Sequence, residues 1–311
     1  MKRFALTGLA GYIAPRHLRA IRDTGHRLVA ALDRSDSVGI IDAYFPDARF
    51  FLEPERFEAF LEAERERGQG VDYLSICTPN YLHDPHIRLA FRVGADAISE
   101  KPLVLTTAEV EALRELEART GRRVWTILQL RVHPALEALY ARLRQRKTVA
   151  DVVLTYITGR GQWYRQSWKM REELSGGLAT NIGIHFFDLL TWFFGPTHHM
   201  EVHVRTPTRM AGFLALERAR VRWFLSIEID DVPAEVRARG QRTYRSITIE
   251  GEEVEFSGGF TDLHTEVYRR TLAGQGFGLD EAAEAIRVTE YLRRAPLTIA
   301  PPARRHPMLE A

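Results

Sequence analysis

Two short stretches of the chain gather side chains that do chemistry. In "ISEKPLVLT", Ile98–Thr106, an apolar run ends in Glu100 and Lys101 and is followed at once by Pro102. Proline biases the residue before it towards extended backbone, so Lys101 is expected to stand extended at the end of a strand. An ammonium placed there can hydrogen-bond a substrate oxygen and stabilise developing negative charge. In "TNIGIHFFDLL", Thr180–Leu190, Asn181 and His185 are four apart and Asp188 is three further on, so a helix would carry all three on one face of an otherwise apolar element. Imidazole is well matched to proton abstraction near neutral pH. Taken singly, the plainer readings are a solvated lysine at a strand end and a core histidine satisfied by Asp188. A lysine at a sheet edge before a rigid proline, together with a distant histidine motif, favours catalysis over both.

A third stretch, "TGLAGYIA", Thr7–Ala14, follows the first apolar run. Against the G-x-G-x-x-G dinucleotide fingerprint it keeps Gly8 but has Ala10 and Ile13 at the second and third glycine positions. The physical need is a tight turn and close backbone approach of a pyrophosphate to a helix N-terminus. Gly8, Ala10 and Gly11, with Tyr12 and Ile13 in the same turn, can meet it, although a plain strand-to-helix turn would look the same. Asp33 lies 25 residues after Gly8, where a carboxylate would hold the ribose hydroxyls of a dinucleotide and repel a 2′-phosphate. NAD is therefore expected over NADP, with Arg34 the one contrary neighbour. In "SICTPNYLHDPH" a buried strand ends at Thr78, Pro79 and Asn80, at the edge of a parallel sheet where ligands of such folds sit. These three, with His83, Glu100 and Lys101, complete the expected cofactor contacts, while His83 and His86 read equally well as helix-start residues. No metal site is expected.

Elements that could position these residues follow from periodicity. The strands "RFALT", "HRLVAAL", "VDYLSIC", "DAIS" and "RRVWTILQL" alternate with helical patterns, the sign of a parallel sheet covered by helices. One of those helices opens with Thr106 and Glu109, a capping box. After the helix "PALEALYARLRQRK" come longer β-type segments, "VADVVLTYIT", "MEVHVRT", "VRWFLSIEI", "RSITIE" and "EEVEFS", close enough in sequence to pair as a mixed or antiparallel sheet. Between the first two, "GGLATNIGIHFFDLLTWFFG" ends as a nearly all-apolar, buried helix. The expected fold class is α/β: a Rossmann-type dinucleotide-binding domain at 1–122, then an α+β substrate-binding and oligomerisation domain at 123–311 on a mixed, largely antiparallel sheet. The tail "APPARRHPMLEA" is expected to wrap a surface or a neighbouring subunit.

Composition agrees with a soluble protein. The 311 residues exceed one ordinary core, and 45% apolar with 27% charged content is unlike a disordered chain. With 43 basic against 41 acidic side chains, the balance argues against nucleic-acid binding. One cysteine, Cys77, excludes disulfides within the chain and fits a reducing, cytoplasmic setting. No segment has the ~18 consecutive apolar residues of a membrane span. The start "MKRFALTGLAGYIA" superficially matches a signal peptide, but Gly8 and Gly11 interrupt its apolar run and helical residues follow directly, so it is read as part of the fold.

In their order, "TGLAGYIA", "CTPNYLH", "EKPL" and "GGLATNIGIHFFDLL" resemble the glucose-fructose oxidoreductase/inositol dehydrogenase family over the whole chain. Three further stretches, "ALDRSDSVGIIDAYFPDARFF", "RGQWYRQSWK" and "GGFTDLHTEVYRRTLAGQGFG", are similar to its members that oxidise UDP-N-acetylglucosaminuronate for bacterial surface polysaccharide. The resemblance implies that Lys101 reaches the substrate hydroxyl and the nicotinamide and that His185 is the base. It also implies a nucleotide-sugar substrate, 2-oxoglutarate as a possible second substrate and a homotetramer. A diphosphate and a carboxylate on the substrate would suit Arg131, Arg160 and Lys169, and Trp163 and Tyr164 could pack on its sugar or uracil. The chain departs from the family at the degenerate glycine turn and at Asn181, where many relatives carry aspartate. A neutral amide cannot accept a proton as a carboxylate does, so Asn181 is assigned to substrate binding. A free sugar or cyclitol as substrate, and a non-catalytic NAD-binding regulator, are the competing readings. If Asp33 selects the cofactor, kcat/KM will be higher with NAD than with NADP; equal or better use of NADP refutes the selection.

Overall fold

In the computed structural model, residues 1–254 and 262–309 are described. The chain forms two compact units, Met1–Val132 with Thr261–Ala283, and His133–Phe260 with Glu284–Ala311. The change of unit falls ten residues beyond 122, and a later segment returns to the first unit, which a single cut in the sequence does not describe.

Six parallel strands make the sheet of the first unit: β1 (Arg3–Thr7), β2 (Arg27–Leu32), β3 (Arg49–Phe51), β4 (Tyr73–Ile76), β5 (Asp96–Ser99) and β6 (Val124–Thr126). Their order is β3-β2-β1-β4-β5-β6, so the chain reverses direction of growth between β1 and β4. That reversal is the topological switch point at which open α/β sheets bind ligands. The crossovers carry helices α1 (Ala14–Asp23), α2 (Pro54–Glu66), α3 (His83–Arg92) and α4 (Thr107–Thr120). The strands are apolar because helices cover them: Phe4, Leu6, Leu74, Ile76 and Ile98 have no exposed surface. Helix α4 starts at the expected capping box, Thr106 Oγ1 accepting from the Glu109 N–H at 3.2 Å and the Glu109 carboxylate accepting from the Thr106 N–H at 2.8 Å. The run "RRVWTILQL" yields only the three-residue β6, and β3 carries no sequence signal beyond a short aromatic pair. Far along the chain, the helix Leu263–Leu272 belongs to this unit, and Phe277 extends the sheet edge by accepting from the Thr126 N–H at 2.8 Å.

In the second unit, α5 (Pro134–Leu143) precedes a second six-stranded sheet of β7 (Ala150–Thr158), β8 (Thr197–Arg205), β9 (Arg209–Leu216), β10 (Ala219–Ser226), β11 (Thr243–Ile249) and β12 (Glu252–Glu253). The order is β12-β11-β7-β10-β9-β8, with β7 and β10 parallel and every other pair antiparallel, so the sheet is mixed as expected. Strand β9 was not anticipated, because "RMAGFLAL" lacks alternation when both faces are covered. The end of the expected strand "EEVEFS" lies outside the described residues. Gly212 on β9 is a close approach: a Cβ there would meet the Glu201 carbonyl oxygen at 2.0 Å and the Trp223 ring at 2.7 Å. Among the described residues no helix is long and apolar enough to cross a membrane.

The tail up to Leu309 lies on its own sheet. Met308 and Leu309 pack against Ile157, Ala211, Phe224, Val232 and Val236, and Arg304 pairs with Glu201. His306 is buried, its ring stacked on Phe224 at 5.5 Å. Its Nδ1 accepts from the Met308 N–H at 3.1 Å, which leaves Nε2–H to donate to Thr155 Oγ1 at 3.1 Å. Burial pushes its pKa down to about 4 from an ordinary 6.5. Folding therefore favours the neutral ring, a stabilisation complete above pH 6.5 and lost as pH falls from 6.5 towards 4. His306→Gln removes this titration, so denaturant unfolding at pH 7.5 and pH 4.5 will show a loss of stability about 2–3 kcal/mol smaller in the variant than in the parent. Equal losses would exclude the ring as the acid-sensitive group.

Candidate active site

Three loops leave the same carboxyl edge of neighbouring parallel strands in the first unit: Gly8–Ile13 after β1, Cys77–Asn80 after β4 and Glu100–Pro102 after β5. Gly8 has φ +87°, and a Cβ on it would lie 2.6 Å from the Cys77 carbonyl carbon and from Thr78 N. No side chain other than glycine's hydrogen fits there. The turn is closed by the Gly11 N–H on the Gly8 oxygen at 3.0 Å, and the Gly8 N–H bonds to the Leu32 oxygen at 2.9 Å. Helix α1 begins directly after it with Pro15 in its first turn and no side-chain cap at Ile13. Ala10 and Tyr12 are exposed, Tyr12 at 91%.

Asp33 continues from the end of β2, half-buried. One carboxylate oxygen accepts from the Ala10 N–H at 2.8 Å and the other from the Ser35 N–H at 2.9 Å, so the residue ties the first loop to the end of the second strand. A carboxylate has about four acceptor positions, and two backbone donors leave room for ribose hydroxyls. A glycine-dependent turn, an uncapped helix N-terminus and a carboxylate beside them fit a dinucleotide; NAD, when bound, supplies the hydride acceptor.

Asn80 is buried, and Thr78 and Pro79 are half-buried. His83 is fully buried. Its Nδ1 lies 2.6 Å from the Pro102 oxygen and its Nε2 2.9 Å from the Thr78 oxygen, so it bridges the second and third loops. Both partners are carbonyls, and burial holds its pKa down, so the single N–H of the neutral ring donates to one of them. Lys101 is half-buried, and the Lys101–Pro102 peptide is cis, a local geometry the extended expectation did not include.

The sequence reading missed what surrounds Glu100. Its carboxylate is buried; one oxygen, Oε1, accepts from His17 Nε2 at 3.0 Å and from His264 Nε2 at 2.9 Å, and Oε2 accepts from the Lys101 N–H at 3.2 Å. His17 Nδ1 then accepts from the Tyr268 hydroxyl at 2.7 Å, whose oxygen accepts from Ser75 Oγ at 2.6 Å. Burial alone would raise the Glu100 pKa, but the hydrogen bonds from His17 and His264 outweigh it and hold the carboxyl well below its ordinary value. Burial keeps His17 neutral. The only trace of this in the sequence is the spacing of His264 and Tyr268, four apart on one helix face. Arg131, expected on substrate, donates to the Glu281 oxygen at 2.9 Å and lies over the Phe277 ring.

In the second unit the expected substrate residues gather around Tyr164. Asn181 Nδ2 donates to the Tyr164 hydroxyl at 2.7 Å, the Arg160 guanidinium lies 5.4 Å from its ring centre, and Trp163 meets it edge-on at 5.6 Å. Tyr164 is buried, which pushes its pKa up to about 12, whereas Trp163 is 59% exposed. Tyr164 and Lys169 both line a cavity of about 290 Å³ to which Arg205 and Arg293, absent from the sequence reading, add positive charge against one carboxylate, Glu172. The segment Ala179–Gly183 is a π-helix that passes into the α-helix Ile184–Phe194. Asn181 therefore sits in a wider turn than His185 and Asp188, and the simple four-residue spacing does not relate them. Single π turns recur at functional sites. In the α-helix His185 and Trp192 are half-buried and the other residues are buried, Asp188 at 2% exposure.

Residues 2–128 match the Gfo/Idh/MocA oxidoreductase family, NAD-binding Rossmann fold, and residues 147–218 match the C-terminal alpha/beta domain of that family. This chain belongs to the Gfo/Idh/MocA family. Among solved structures, the WlbA (WbpB) dehydrogenase of Thermus thermophilus in complex with NAD and alpha-ketoglutarate is 67% identical over 99% of both chains, with a TM-score of 0.97. The same dehydrogenase in complex with NAD and UDP-GlcNAcA gives 0.96. The WlbA dehydrogenase of Bordetella pertussis, 21% identical over 94% of this chain and 95% of its own, shares the fold with a TM-score of 0.78. Among curated relatives, a D-apiose dehydrogenase of Paraburkholderia graminis is 29% identical over 63% of this chain and a dehydrogenase of Fusarium mangiferae 26% identical over 60%. The chain spans little more than half the length of these two, 51% and 56%. If the carboxylate of Asp33, which ties the first loop to the end of β2, also accepts from the ribose hydroxyls, Asp33→Ala should weaken NAD binding by about 1–2 kcal/mol, the range for a hydrogen bond to a charged group. Fluorescence titration giving an unchanged Kd would detach Asp33 from the cofactor.

Proposed function

We propose that the protein oxidises the 3-hydroxyl of UDP-N-acetylglucosaminuronate to the 3-keto sugar with NAD, a step in diacetamido-uronic acid synthesis for lipopolysaccharide O-antigen. The observation that carries this is the 67% identity over 99% of both chains to a dehydrogenase in complex with NAD and UDP-GlcNAcA. The arginine- and lysine-lined cavity beside Tyr164 supports an anionic substrate. The complex of that relative with alpha-ketoglutarate supports 2-oxoglutarate as a second substrate that regenerates the oxidised cofactor in a ping-pong cycle. We place the protein in the cytoplasm as a homotetramer.

In this reading the groups divide the work of alcohol oxidation. His185 is the base that takes the hydroxyl proton. Lys101 donates to the same oxygen and stabilises its developing charge, and its ammonium disfavours a second positive charge on the base. Asn181, already bonded to Tyr164, orients the sugar and takes no proton. Gly8, Ala10, Gly11, Tyr12, Ile13, Asp33, Thr78, Pro79, Asn80 and His83 frame the cofactor. Arg160, Trp163, Tyr164 and Lys169 frame the substrate. Arg131 is kept with them only through its guanidinium, one face of which is already covered by Phe277.

Incubation with NAD and UDP-N-acetylglucosaminuronate should produce NADH absorbance or, with 2-oxoglutarate present, a 2-hydroxy acid. Absence of both products would sink the reading, and preference for a free sugar such as apiose would replace it. His185→Asn should lower kcat by about 10²–10⁴-fold with NAD affinity retained. Lys101→Ala should raise the barrier by about 3–4 kcal/mol, and Lys101→Arg should not restore it, since guanidinium differs in shape and reach. Near-normal turnover in His185→Asn or Lys101→Ala would remove the assigned role.

A further inference from the structure

The two residues that flank Lys101 are each gripped by buried histidines. Before it, the Glu100 carboxylate receives His17 and His264; after it, the Pro102 carbonyl lies 2.6 Å from His83. Glu100 reaches further, because Oε2 also accepts the Lys101 N–H itself at 3.2 Å. Stability does not explain such an arrangement. Burying a carboxylate is costly even when it is well bonded, and apolar packing of similar volume often serves a fold as well or better. A fully satisfied polar network instead rigidifies one local conformation. A cation is not the explanation either. Although the three ligand-type atoms of His17, Glu100 and His264 lie within 4.8 Å of one another, both imidazole nitrogens stand at hydrogen-bond distance from one shared oxygen, so they carry protons rather than lone pairs towards it. On the far side of His17 the chain of donors closes on Tyr268 and Ser75, which fixes the ring tautomer.

We propose that Glu100 is a positioning residue for Lys101, and that His264, delivered by the helix Leu263–Leu272, and His17 on α1 lock it in place. The carboxylate holds the Lys101 backbone and keeps a fixed negative charge one residue from the ammonium. This rests on the catalytic reading of Lys101. The returning segment thereby acquires a function within the first unit, because its helix brings His264 and Tyr268 to the third loop.

The test uses the full-length chain with His264→Leu, His264→Gln and Glu100→Gln. His264→Gln keeps an N–H for Oε1, His264→Leu does not, and Glu100→Gln keeps shape but loses the charge and one of its two acceptor oxygens. Folding is checked by circular dichroism and thermal melting. Two readouts follow: steady-state kinetics with NAD and UDP-N-acetylglucosaminuronate across pH, and the rate at which an amine reagent modifies Lys101, followed by mass spectrometry. We expect His264→Leu to lose about 10²-fold in kcat, the scale for ångström-level misplacement, with the sugar KM little changed and His264→Gln restoring most of the turnover. In Glu100→Gln the pH profiles of kcat and of Lys101 modification should move to lower pH, because the neighbouring negative charge is gone. Folded variants with parental kcat and parental Lys101 labelling would overturn the proposal, leaving the network a satisfied polar core. If the parent enzyme does not oxidise this sugar, the functional reading fails by itself, and labelling still decides: an unchanged Lys101 rate in both His264→Leu and Glu100→Gln rejects the positioning role. If His264→Leu does not fold, Glu100→Gln carries the decision alone.

Discussion

A single buried carboxylate organises the first unit. Glu100 follows β5 directly, and a charge removed from water must be compensated by donors. Those donors come from three places in the chain: His17 on α1, His264 on the helix Leu263–Leu272, and the Lys101 backbone. Meeting this demand joins the third loop to the helix after β1 and draws a distant segment into the Rossmann unit. His83 adds the link from the third loop to the second, and Asp33 the link from the first loop to the end of β2. The carboxyl edge of the sheet is thus a cross-braced surface rather than three independent loops, as suits a site whose groups must be held within fractions of an ångström.

The second unit solves a different problem. A mixed sheet with two long apolar faces needs cover on both. One face receives the nearly all-apolar helix Ile184–Phe194, whose Phe187 meets the buried Trp223 edge-on at 5.4 Å. The tail contributes Met308 and Leu309 against Phe224 and its neighbours, with His306 buried among them as a neutral ring. Within this frame the π-turn at Ala179–Gly183 carries Asn181 to Tyr164, and the following helix leaves His185 only partly covered. An otherwise apolar helix that exposes one imidazole is the second unit's clearest chemical feature.

Much of this was legible in the residues. Strand and helix alternation announced the parallel sheet, because βαβ crossovers need covered, apolar strands and capped helices. Gly8 announced the turn, since its φ of +87° and the 2.6 Å gap to Cys77 and Thr78 admit no side chain. Lys101 and His185 stood out as polar residues inside apolar surroundings. What could not be read were β3 and β9, too short or too evenly apolar to show a period, and the cationic lining that Arg205 and Arg293 add beside Lys169.

The sequence by itself determined local matters: which segments are strands or helices, where a glycine must turn the chain, and which residue types stand ready for proton transfer and charge stabilisation. These depend on neighbours within a few positions, where periodicity and sterics act. Only the tertiary structure decided that Glu100 is engaged by two histidines, 83 residues before it and 164 after it, that Asn181 bonds Tyr164, and that the segment after the second sheet returns to the first unit. A hydrogen bond requires atoms within about 3 Å and correctly aimed, a condition that chain folding imposes across any sequence distance and that no local pattern encodes.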